Sequence, residues 1–132
     1  MNASKLVIVS IAVLITIVAV EFIFMQFKLF SYVPHIGIVL HILGGCFSGL
    51  LLYGICIDSM IKIPFQIQMI FVLGTAAIAA IGWEAFEWTL SWLLNKRMQG
   101  TINNIMLDLA TGMAGGMLAC VWLYANKSTT KS

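Results

Sequence analysis

The chain has 132 residues, 61% of them hydrophobic and 9% charged, with a net charge of +2. That composition leaves no room for a soluble core under a polar shell. A charge this small and scattered, its densest cluster being Lys96-Arg97, excludes a nucleic-acid surface.

A helical bilayer crossing takes roughly 20 predominantly apolar residues. The first such stretch runs Leu6–Phe27 and is interrupted only by Glu21 and Gln26. Lys5 ahead of it imitates the start of a signal peptide, but no small-x-small cleavage site follows, so an uncleaved first span is expected. The second span covers 33–57, with Pro34 in its first turn, and ends at Asp58-Ser59. A link holding Lys62 leads to Pro64, placed to begin a third span over 65–94. That stretch is longer than one crossing needs and should tilt or protrude. After the polar link Asn95–Gly100 a fourth span covers 102–124, and Asn126–Ser132 reads as a frayed tail. The expected fold is a single all-α domain over 1–132, a four-transmembrane-helix up-down bundle with short loops.

Small residues recur at the spacing that lets membrane helices approach closely: Gly45 and Gly49, Gly112 and Gly116, Ala76 and Ala80. Such faces pack a bundle, and the same faces are where a homo-oligomer would form. Trp88, Trp92, Trp122 and Tyr124 fall at span ends, as interfacial aromatic belts do. Lys5, Lys62, Lys127 and Lys131 share one side, against Lys28, Lys96 and Arg97 on the other, which places the termini in the cytoplasm by a narrow margin. Cys46, Cys56 and Cys120 lie singly in apolar segments, without the pairing of a zinc site, and read as reduced packing residues.

Against this background the acidic residues stand out. There are five, and Glu21, Glu84, Glu87 and Asp108 all fall inside spans. An ionisable group at membrane depth costs several kcal/mol unless paired, which marks a functional site. Counted inward at about 1.5 Å per residue, Glu21, His41, Glu84, Glu87 and Asp108 all lie roughly 9–15 Å below the same surface. The rotational positions agree with convergence. Glu84 and Glu87 are i,i+3 neighbours. Thr101, Asn104, Asp108 and Thr111 form a polar stripe on the fourth span, and His41 shares a face with Gly44, Gly45 and Ser48. His35 belongs at the rim, and Glu21 is near enough the boundary to snorkel out of the membrane.

Two chemistries suit these residue types. Crowded carboxylates in a poorly solvated site cannot all ionise, so Glu84, Glu87, Asp108 and His41 can act as general acids and bases. The same four could instead hold a divalent metal: without thiolates, magnesium, manganese or an iron-type site is favoured over structural zinc. The structural alternative is a hydrogen-bond network that fixes helix register, with His41 paired to a carboxylate.

His41-Ile-Leu-Gly-Gly45, then Gly82-Trp83-Glu84-x-x-Glu87, then Asp108-Leu109 before the glycines up to Gly116 resemble, over about residues 35–120, the YjdF-like and VanZ-like small bacterial membrane proteins. Val39 and Leu40 ahead of His41, Glu87 and Gly112 bring the chain closer to the YjdF-like side. The resemblance implies a multi-pass protein of the bacterial cytoplasmic (inner) membrane with lipid-linked or cell-envelope substrates. Three readings follow: an enzyme acting on a lipid or lipid-linked head group, with membrane lipids as its partners; a proton-coupled transport or binding protein; and a non-catalytic accessory subunit.

Overall fold

The computed structural model describes residues 2–27, 29–33, 35–95 and 100–129. Pro34, assigned to the first turn of the second span, and Lys28, Lys96, Arg97 and Lys131 of the orientation count lie outside the described residues. The structure is all-α, with no strand among the described residues. Its helices are α1 (Ala3–Phe27), α2 (Ile36–Ile55), a single turn α3 (Ile57–Met60), α4 (Phe65–Leu93) and α5 (Ile102–Thr129), with a 3-10 turn at Leu29–Ser31. Four of these, α1, α2, α4 and α5, are long and apolar enough to cross a membrane. In hydrocarbon every backbone polar group must be satisfied within its own segment, which is why such sequences settle as helices.

The helix ends follow local chemistry. Pro64 has no N–H to place in a helix and stands at the N-cap of α4, its carbonyl accepting from the Ile67 and Gln68 amides. Beyond the other end of α4, Asn95 takes φ 48°, the left-handed conformation that stops a helix and that Asn tolerates better than most residues. The tail expected to fray from Asn126 instead continues α5 to Thr129. Neither Gly nor Pro interrupts that stretch, and Asn126 Nδ2 donates to the Trp122 carbonyl at 2.8 Å.

The packing centres on α2, which lies against α1, α4 and α5, while α4 and α5 also pack on each other. By contrast α1 rests almost entirely on α2. Contact between α2 and α5 is made backbone to backbone. A Cβ on Gly45 would collide with the Gly112 carbonyl, and one on Gly115 with the Ile42 carbonyl. Gly49 faces Val72, Gly112 faces Ala80 and Gly116 faces Ala76, so the glycine faces close the bundle within the chain. Isoleucines such as Ile8, Ile15, Ile70 and Ile78 point outward, as lipid contact requires. All three cysteines are free.

The two halves of the bundle differ. Leu6, Leu50, Tyr53, Val72, Ala119, Cys120 and Leu123 form an apolar core toward the end where α1 begins and α5 finishes. Its buried polar residues include Ser10 and Gln68: Tyr53 donates to Gln68 Oε1 at 3.1 Å, and Gln68 Nε2 to the Ile63 carbonyl at 3.0 Å. The ionisable residues occupy the other half.

Candidate functional site

Each long helix delivers its residues to the site from the end of a packed face. On α4 the buried stripe Gln68, Val72, Ala76, Ala80, Glu84 advances every four residues, so a seam that is apolar between Val72 and Ala80 ends on a carboxylate, 7% exposed. One turn nearer the end, Glu87 is half-buried, and its Oε1 accepts from Trp83 Nε1 at 3.0 Å. This clamp holds the carboxylate to a fixed side of the helix.

On α5, Asn104 Nδ2 donates to Asp108 Oδ2 at 3.0 Å, leaving Asp108 Oδ1 directed at His41 Nε2, 3.6 Å away. The polar stripe of this helix thus separates into distinct roles. Thr101 is exposed, and its hydroxyl accepts from the Asn104 amide at the start of the helix; Thr111 bonds back to the carbonyls of Leu107 and Asp108. Neither threonine is among the residues lining a cavity.

His41 and Asp108 side chains are 11% and 14% exposed. Together with Glu84 they form the tightest group: one donor atom from each of the three lies within 4.8 Å of the other two. These are the described residues best placed to hold a metal.

Two cavities meet at His41, and the larger also reaches Asp108. The larger, about 480 Å³, is polar and is lined by Glu21, His35, His41, Glu87, Asn104 and Asp108, with Met25, Phe30 and Leu107 among its apolar walls. The smaller, about 120 Å³, is an apolar cleft on the surface of α2 between α1 and α4, lined by Leu14, Ile17, Val18, Leu40, Gly44 and Ala79. Glu21 and His41 line both. The exposed His35 stands at the outer rim of the polar cavity, and Glu87 lines it without belonging to the tight group.

Glu21 differs from expectation. It does not snorkel: it is 3% exposed, because the face of α1 that carries it docks on α2 beside His41. The carboxylates act on one another, Glu21 feeling Asp108 and Glu84, and Glu87 feeling Glu84, Glu21 and Asp108. Four ionised carboxylates at this depth require counter-charge. No Lys or Arg stands among the described residues of the cavity wall.

Sequence reasoning missed the Trp83–Glu87 clamp, although the spacing was available: the two are i,i+4 partners inside the Gly-Trp-Glu-x-x-Glu motif. It also missed the apolar cleft, which no local pattern encodes.

With four membrane-length helices enclosing an acidic cavity, one comparison bears on what the chain is. A family model described as "Predicted membrane protein (DUF2238)" matches residues 1–129. The chain belongs to the DUF2238 family. For this DUF2238 chain no curated protein and no solved structure matches. Family membership makes it a membrane protein that sits in the lipid bilayer, and the chemistry of its cavity has to be read from the residues themselves.

Proposed function

We propose that the chain is an intramembrane enzyme that modifies the head group of a lipid or lipid-linked cell-envelope molecule. One observation carries this reading: the polar cavity and the apolar cleft share Glu21 and His41, so a head and a chain can be held at once by neighbouring walls. That arrangement suits an amphiphile lying in one leaflet. A polar solute would gain nothing from the cleft, and a hydrocarbon nothing from the acids.

In this reading Glu87, fixed by Trp83, is the general base or acid, Asp108, which Asn104 orients, is its partner, and His41 is a proton shuttle or a metal ligand. Glu84, buried beside His41 and Asp108, supplies negative charge, and His35 and Glu21 bound the head group. Transport is less well supported, because the opposite half of the bundle is filled by the Leu50–Val72–Leu123 core. Location in the bacterial inner membrane with cytoplasmic termini, and kinship with the YjdF-like and VanZ-like proteins, belong to the same proposal.

Cells lacking the gene, complemented with wild type, Glu87→Gln or the cleft-filling Gly44→Leu, provide the test. Mass spectrometry of total lipids and lipid-linked intermediates should show a head-group change that wild type restores and neither variant does. Identical lipid profiles in all strains would sink the proposal.

A further inference from the structure

Two residues of the polar cavity wall, His41 and Asp108, meet a buried carboxylate that does not line it. His41 from α2, Glu84 from α4 and Asp108 from α5 converge, with a nitrogen and two carboxylate oxygens mutually within 4.8 Å. A histidine–aspartate pair serving only to lock helix register would close to hydrogen-bond distance, near 2.8 Å. Here Nε2 and Oδ1 stand 3.6 Å apart, beyond a hydrogen bond. Metal–ligand bonds of about 2.0–2.2 Å set neighbouring donors roughly 3.0–3.6 Å apart in tetrahedral or octahedral shells. The His41–Asp108 separation therefore falls at the edge of what a shared ion requires, and a Glu84 carboxylate oxygen lies within 4.8 Å of both donors.

We infer that His41, Glu84 and Asp108 form a binding site for a single divalent transition-metal ion. Three further features fit. The donors come from three helices whose relative positions are fixed by glycine contacts on the same seams, Gly45 on Gly112 and Gly112 on Ala80, so the site is preorganised. Asn104 orients Asp108 through its other oxygen, as partners behind metal ligands do. The 480 Å³ cavity reaches His41 and Asp108 from outside and provides both an entry path and room for open coordination positions.

Charge complementarity selects the ion. Two carboxylates and a neutral imidazole match the charge of a 2+ ion. An imidazole nitrogen among oxygen donors favours zinc, iron or manganese over magnesium and calcium, and the absence of thiolates disfavours copper(I). The ion would supply Lewis acidity beside Glu87, which stays outside the ligand set and keeps its own clamp on Trp83. This deepens the lipid-enzyme reading and rests on it for the chemistry alone, since the ion is tested without lipid.

Full-length protein in detergent, stripped with chelator and reloaded with MnCl₂ or ZnCl₂, should retain about one ion per chain by elemental mass spectrometry. Asp108→Asn and His41→Gln should lower the affinity at least tenfold, and Asn104→Ala roughly 10–100-fold, as an outer partner does. Tyr53→Phe, in the opposite half of the bundle, should leave the affinity unchanged. Should the ligand variants fail to fold, the wild type decides: its Mn²⁺ electron paramagnetic resonance should carry nitrogen coupling from an imidazole. Retention below roughly a tenth of an ion per chain with both metals, full loading of Asp108→Asn and His41→Gln, or Mn²⁺ bound without nitrogen coupling would each overturn the site. A retained ion with unchanged lipid profiles would remove the enzyme reading and leave the site standing.

Discussion

Glu84 and Glu87 lie one turn apart on the same helix, yet the protein treats them differently. Glu84 ends a buried seam beside His41 and Asp108, whereas Glu87 faces the cavity with its carboxylate fixed by Trp83. Replacing either by Gln keeps the shape and removes a charge that is expensive to hold at this depth. Melting temperature in detergent should therefore stay level or rise for both variants, while activity falls on the order of 10²-fold or more, the scale of a lost general base. A fall in melting temperature together with retained function would return both residues to a purely architectural role. At this scale the sequence was informative about which ionisable residues come together and less so about their surroundings. Membrane depth singled out His41, Glu84, Glu87 and Asp108 because ionisable groups are rare in apolar spans. Glu21 lies close enough to a span end to escape to water, and only the docking of α1 on α2 decides that it does not.

Among the elements, the α2–α5 seam is the most demanding, because backbone meets backbone at Gly45–Gly112 and at Gly115–Ile42. Gly115→Leu should force the helices apart, cost at least the 1–3 kcal/mol typical of overpacking, and abolish a monodisperse peak in size-exclusion chromatography. Gly74, where an added Cβ meets nothing within 4 Å, gives the control: Gly74→Ala should stabilise α4 by about 0.5–1 kcal/mol. Equal tolerance at the two positions would contradict the packing. The spans themselves were legible because apolar runs of this length have one solution in a bilayer, and Pro64 marked a start that the structure keeps. Glycine spacing announced close approach without saying to what, since a small stripe fits a neighbour in the chain or a second copy equally well. The extension of α5 through Asn126 was hidden by its polar composition, which says more about solvation than about helix continuity.

For the whole molecule, the division into an apolar half and an ionisable half predicts one-sided access. In a cysteine-free background, His35→Cys at the cavity rim and Ile61→Cys at the opposite end should react with a membrane-impermeant maleimide from opposite faces of sealed vesicles. Labelling of both from one face would contradict the arrangement of spans. The pairing of helices was the part least visible in the sequence, because four apolar spans carry little to tell one neighbour from another. That pairing has a consequence for how the protein matures. The three helices that supply His41, Glu84 and Asp108 are bound to each other on mutual glycine and alanine seams, while α1 leans mainly on α2 and brings Glu21. Insertion can thus complete the inner triad before the first helix has settled, and one wall of each cavity arrives with the least-anchored piece of the chain. Closure of both cavities and the last step of membrane assembly would then be the same event, and a cell could lose the one by delaying the other.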